Sequence, residues 1–157
     1  MARTDYYSDP RAPKPNSIVP AATAIVPDGE GRVLLIRRSD NGRWALPGGQ
    51  MDIGEHLAGS AVREVKEETG LDVEVVKIIG IYTDPRHVIA YDDGEVRQQF
   101  AVCFETRVTG GSLLADGSEA RDARFVAAEE LDGLNIHSSI RLRIAHYFQN
   151  KPTAHIG

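Results

Sequence analysis

A chain of 157 residues and 17.2 kDa is the size of one domain and is long enough to bury a core. Its 41% hydrophobic and 26% charged content is ordinary for a globular protein, so there is no fibrous or low-complexity class to invoke. A net charge of −5 argues against nucleic-acid binding and gives an anionic substrate no help from the global field, so local cations must supply it.

Residues 1–17, with Pro10, Pro13 and Pro15, are aperiodic and are expected to form an extended N-terminal arm, either packed on a partner subunit or loose. They lack the apolar segment of a secretory signal, and no apolar run approaches the roughly 20 residues that span a membrane, which makes the cytoplasm the default. A single domain is expected over residues 18–150, with a tail at 151–157. Ile18 to Val26 and Val33 to Arg38 are β-branched apolar segments around the turn cluster Pro27-Asp28-Gly29-Glu30-Gly31, which predicts a hairpin. A second turn, Asp40-Asn41-Gly42, leads to Trp44, whose ring is expected to be partly buried.

A glycine-rich loop then enters a helix that begins near Glu55 and stops at Gly70. Leu57, Ala61 and Val65 recur at four-residue spacing and form its packing face, while Glu64, Glu67 and Glu68 project elsewhere. Glu64 and Glu68 are like charges at i, i+4, a placement that destabilises a helix by roughly 0.2–0.5 kcal/mol. Glu67 and Glu68 also stand in the last turn, where the helix dipole disfavours a carboxylate. A solvated acidic face explains any two of these residues; three at the wrong helix end point to a bound hard cation. Carboxylates beside loop carbonyls suit magnesium or manganese.

Beyond the helix, Leu71, Val73 and Val75 alternate with Asp72 and Glu74 as in a half-buried strand that continues to Tyr82. Thr83-Asp84-Pro85-Arg86 breaks it. His87 to Tyr91 and Gln99 to Val108 are expected as strands around the acidic turn Asp92 to Glu95. Cys103 sits in the apolar run Phe100 to Phe104 and is expected as a buried small hydrophobe. A loop from Gly110 to Glu119 precedes a short strand at Ala123 to Val126. A brief helix near Ala127–Leu131 and a longer one from about Ser139 close the chain, the latter with Ser138 as N-cap and Ile140, Ile144, Tyr147 and Phe148 as its core stripe. Together these elements predict an α/β layered sandwich around a mixed sheet. His56, His87, His137, His146 and His155 show no metal-ligand spacing, so zinc is not expected.

Gly49, five residues, Glu55, seven residues, then Arg63-Glu64-Val65-x-Glu67-Glu68-x-Gly70-Leu71 resembles the complete signature box of the Nudix hydrolases, with no departure at any defined position. Trp44-Ala45-Leu46-Pro47-Gly48 resembles the family's approach to that box. The resemblance implies a Nudix-type α/β/α sandwich, and metal-dependent hydrolysis of a nucleoside diphosphate linked to another moiety, by attack of water on phosphorus. It implies Glu64, Glu67, Glu68 and the Gly49 carbonyl as Mg2+ or Mn2+ ligands, Arg63 as the residue orienting Glu64, and Glu55 and Gly70 as structural members. The general base is left open between a box glutamate and a carboxylate from a later loop, where Glu119 is the candidate and Asp122 and Glu95 are alternatives. Ile81 to His87, with Pro85, is similar to the stretch in enzymes acting on ADP-ribose and nucleoside diphosphate sugars. Arg37, Arg38 and Arg86 are candidates to contact phosphates, though arginines flanking strands are commonly surface. A nucleoside triphosphate is the rival substrate, and a non-catalytic nucleotide sensor the rival of another class. The resemblance also implies a homodimer.

Overall fold

The computed structural model describes residues 2–157. In chain order it contains β1 (Arg3–Tyr7), β2 (Ser17–Ile25), β3 (Arg32–Arg38), β4 (Trp44–Ala45), β5 (Gly48–Gln50), α1 (Leu57–Thr69), β6 (Leu71–Tyr82), β7 (His87–Tyr91), β8 (Val96–Gly111), β9 (Ala120–Ala127), a 3-10 turn (Ala128–Gly133), α2 (Ser138–Gln149) and β10 (His155–Ile156). A 7-stranded sheet runs β1-β7-β8-β2-β5, with β6 added beside β8 and β10 beside β6. It is mixed, because β2 lies parallel to β8 whereas β6 and β7 lie antiparallel to it. A 3-stranded antiparallel sheet, β4-β3-β9, leans against it.

Alternation along the strands sorts the core into two layers. Ala22, Ala24, Val102 and Phe104 face α1, where Ala61 and Val65 are fully buried against them and against Leu34. Ile25, Ile79 and Cys103 face the other way and meet Ile144 of α2, together with Val33, Leu35 and Val126 of the smaller sheet. The layered α/β/α arrangement expected from the sequence is therefore present, with the helices on opposite faces.

Several local expectations are corrected. β2 and β3 do not pair along their length as a hairpin; they belong to different sheets, and only the turn between them is bonded, through Leu34 N–H to Val26 O at 3.0 Å and Asp28 N–H to Arg32 O at 3.1 Å. The physical reason is that Val33 to Ile36 are buried on both faces, so β3 has to lie between layers rather than at a half-exposed edge. The N-terminal arm is not loose: β1 pairs with β7 from Arg3 opposite Tyr91 to Tyr7 opposite His87. The tail also joins the sheet, His155 and Ile156 pairing with Gly80 and Ile81. His137, not Ser138, caps α2, its Nδ1 accepting the Ser139 N–H at 3.2 Å. Phe148 is exposed, while Arg143, on the same helix, is buried.

Candidate active site

α1 is held at both ends by its own sequence. His56 Nδ1 accepts the Gly59 N–H at the start, and Gly70, with φ of 78°, turns the chain out at the end. With the apolar face fixed on the core, Glu64 and Glu68, one turn apart, are carried under β5 and are only 7% and 3% exposed. Gly48 N–H donates to Glu68 Oε1 at 2.9 Å. At Gly49 a side chain is impossible without displacing chemistry, because a Cβ there would overlap Glu64 Oε1. This glycine lets a strand lie directly on a carboxylate.

Arg63 organises the approach. Its guanidinium donates to Glu64 Oε1 at 3.0 Å, to Glu67 Oε2 at 3.1 Å, to the Gln50 carbonyl at 3.2 Å, and to Glu55. Glu55 also accepts from Ser60 Oγ at 2.7 Å and Asp52 N–H at 2.9 Å, so it braces the loop against the helix; Arg63 first, then these bonds, hold its carboxyl at about 2. Glu67 projects to solvent and is tied to Arg63, about 100° around the helix from Glu68. It stands apart from the buried pair.

Glu119, in the loop before β9, does join them: one carboxylate oxygen from each of Glu64, Glu68 and Glu119 lies within 4.8 Å of the others. Burial pushes Glu68 up to about 9, with Glu64 and Glu119 adding repulsion against the opposing Gly48 N–H. Glu64 is raised by burial as well, against the pull of Arg63. Three carboxylates gathered around a glycine backbone, two of them protonated more readily than usual, form a donor set that fits a hard divalent cation. Asp122 and Glu95 do not reach the group: Asp122 lies opposite Arg37 on β9, and Glu95 is held by Arg97 at 2.8 Å and Ser17 at 2.7 Å.

Glu68 and Glu119 line a cavity of about 610 Å³, with Glu64 within 4.8 Å of both. Its floor is one face of the large sheet, made by alternate residues from Gly48 on β5 through Thr23, Gln99 and Ile89 to Asp5 on β1. Four strand spacings of about 4.8 Å make that floor about 19 Å wide. Trp44, buried beneath the Arg124 guanidinium at 4.9 Å, and His137 line the opposite wall. Of the expected phosphate contacts, Arg38 lines the cavity, paired with Asp40 at 2.6 Å. Arg37 does not, since its neighbour's side of β3 faces the cavity and its own faces solvent. Arg86 does not either, being exposed and bonded to Asp84 at 2.8 Å in the turn.

Sequence reasoning missed Arg3, Asp5, His87 and Arg143 as cavity residues. Arg3, Thr4 and Asp5 are polar in succession, so β1 carries no alternation, and only its pairing with β7 reveals it. Arg143 carried no signal, because one charge beside an apolar stripe normally points to water. Asp5 is held at about 2: burial works against it, but His87, Arg3 and His137 more than offset that.

Comparison with known proteins agrees with this architecture. The NUDIX domain model matches residues 18–147. The chain is 42% identical over 127 residues to a MutT-like protein of Streptomyces ambofaciens, covering 80% of this chain and 75% of that protein. It is 37% identical over 123 residues to an ADP-ribose pyrophosphatase of Methanocaldococcus jannaschii, covering 71% and 66%. With a putative 8-oxo-dGTP diphosphatase of Bacillus subtilis it shares 34% over 110 residues, covering 70% and 67%. It thus spans about two thirds to three quarters of the length of these relatives. A NUDIX hydrolase structure from Nitrosomonas europaea superposes with a TM-score of 0.71 at 23% identity, covering 90% of this chain and 78% of that one, and shows the same fold. With an unbroken signature whose residues converge on one carboxylate cluster, the chain belongs to the Nudix family and is a pyrophosphohydrolase.

Proposed function

We propose that this chain hydrolyses a nucleoside diphosphate linked to another moiety, with ADP-ribose or a nucleoside diphosphate sugar as substrate and Mg2+ or Mn2+ as cofactor. The observation that carries the reading is the carboxylate triplet Glu64, Glu68 and Glu119, within 4.8 Å of one another, of which Glu68 and Glu119 line a cavity of about 610 Å³. A divalent cation held there would supply charge neutralisation of the diphosphate and activation of water. Glu64 and Glu68 would hold it, with the Gly49 carbonyl beside them and exposed Glu67 as an outer contributor. Arg63 keeps Glu64 aimed by donating to its Oε1. Glu119, on a loop rather than on the helix, takes the proton of the attacking water at its carboxylate. Arg38 lies in the cavity to meet a phosphate when Asp40 releases it.

The M. jannaschii relative named for ADP-ribose supports this substrate; the B. subtilis relative named for 8-oxo-dGTP supports a nucleoside triphosphate as the second reading. A homodimer in the cytoplasm completes the proposal, and light scattering of the purified chain checks the dimer. The deciding experiment measures phosphate and nucleotide release with and without Mg2+ and Mn2+ across ADP-ribose, nucleoside diphosphate sugars, dinucleoside polyphosphates and the nucleoside triphosphates. Efficient metal-dependent turnover of a diphosphate sugar is expected. Preference for a triphosphate installs the second reading, and nucleotide binding with no turnover anywhere in the panel makes the chain a sensor.

A further inference from the structure

The side chain least explained by folding is Arg143. It stands in the second turn of α2, is 3% exposed, and still lines the cavity. Its Nε is buried with no hydrogen-bond partner among the described residues. Burial lowers its pKa, and the groups that act on its charge are the thiol of Cys103 and the phenols of Tyr82 and Tyr7. No carboxylate of the metal cluster is among them. The Tyr82 ring lies 5.0 Å beneath the guanidinium, a contact that offsets part of the desolvation but accepts none of its N–H donors. A buried charge without a partner is strongly unfavourable, and folds normally avoid it.

Three other buried side-chain atoms lack a partner among the described residues: Arg3 Nε, Thr23 Oγ1 and His87 Nε2, the last 3.7 Å from Asp5. All of these residues line the same cavity. Unsatisfied polar atoms scattered by chance in a core would not all line one cavity. Their common place is the signature of a site whose polar partner comes from outside the chain.

We propose that Arg143 is a specificity-determining residue, binding an oxyanion of the substrate that is separate from the diphosphate held at Glu64 and Glu68. Resting on the diphosphate hydrolase reading, this narrows the substrate, within the nucleoside diphosphate sugars and away from ADP-ribose itself, to one whose non-reacting part bears a phosphate or a carboxylate. The desolvated guanidinium favours a formal negative charge over a neutral carbonyl acceptor, since the charge left uncompensated by the fold is then balanced.

The test begins without catalysis. Trp44 is the chain's single tryptophan and lines the cavity, so its fluorescence reports on occupancy. In metal-free buffer, inorganic phosphate is titrated into the wild type, Arg143→Met and Arg143→Lys, and thermal unfolding of each is followed with no anion present. Saturable binding by the wild type is expected, at least tenfold weaker in Arg143→Met and partly restored in Arg143→Lys. Arg143→Met without anion should unfold no earlier than the wild type. Unchanged phosphate affinity in Arg143→Met, absence of binding by the wild type, or a variant that is less stable without anion overturns the proposal; should Arg143→Met not fold, Arg143→Gln is read in its place. In turnover, NADP against NAD and UDP-glucuronate against UDP-glucose separate phosphate from carboxylate, and the preferred pair should lose its discrimination through KM in Arg143→Met. Loss of binding to an uncharged nucleoside in Arg143→Met, with phosphate binding intact, assigns the arginine to base recognition and overturns the oxyanion. Intact phosphate binding with no turnover of any substrate refutes the hydrolase reading alone.

Discussion

Glu68 is the residue at which stability and chemistry conflict most directly. Its carboxyl, raised to about 9 by burial, keeps its proton in the folded metal-free protein where the unfolded chain has lost it. A raised acid favours folding fully below the unfolded pKa near 4.5, and that favour is lost as pH rises from there through about 9. Glu68→Gln should therefore abolish metal-dependent turnover while leaving the metal-free protein as stable, or more stable by on the order of 1 kcal/mol near pH 8. Its metal-free melting temperature should also vary less between pH 5 and 9 than that of the wild type; a clear loss of stability at pH 8 refutes this account. Gly49→Ala acts on the same carboxylates from the other side. The added methyl displaces Glu64, which is tied to Arg63, and a displacement of about 1 Å is expected to lower kcat on the order of 100-fold with the fold retained, as circular dichroism would check. These residues were legible in the sequence because their spacing is local: one helix turn and one loop define the cluster. Glu67 marks the limit of that local logic, since i+3 and i+4 are both neighbours of Glu64 and only packing decides which one is buried.

At the scale of an element, α1 illustrates how much a helix end settles. Gly70 holds φ at 78° and its position is pressed by the Ser112 carbonyl, so Gly70→Ala combines left-handed strain with an overlap. A loss of about 1–3 kcal/mol is expected in chemical denaturation, with residual activity following the folded fraction. β1 makes a different point. Asp5 is mostly buried and held at about 2, so its contribution is present above its unfolded pKa near 4 and is lost as pH falls through about 2. Asp5→Asn should cost about 1–2 kcal/mol at pH 7 and less at pH 3, where the wild type is itself losing that contribution; an equal loss at both pH values would refute the linkage. The helix was readable from periodicity and its terminating glycine. The hairpin expected between β2 and β3 failed because period and turn residues report that two strands exist, while their pairing depends on how buried each face becomes.

At the scale of the molecule, the cavity is a consequence of strand order. The order β5-β2-β8-β7-β1 lays alternate residues from both ends of the chain across one sheet face, with α2 and the smaller sheet as walls. Removing residues 2–7 should therefore raise KM severalfold with a smaller effect on kcat, because Arg3 and Asp5 stand four strands from Gly49; equal kinetics for the shortened chain would show that β1 takes no part in binding. The sequence by itself determined the family, the layered fold and the carboxylates of one helix, since these rest on contacts within a few residues, where spacing is geometry. Only the tertiary structure decided that Glu119, rather than Asp122 or Glu95, completes the cluster, that Arg38 rather than Arg37 or Arg86 faces the cavity, and that Arg143 is buried without an acidic partner. Each of those depends on which strands become neighbours and which faces are closed, and such long-range pairings leave no period in the chain that forms them.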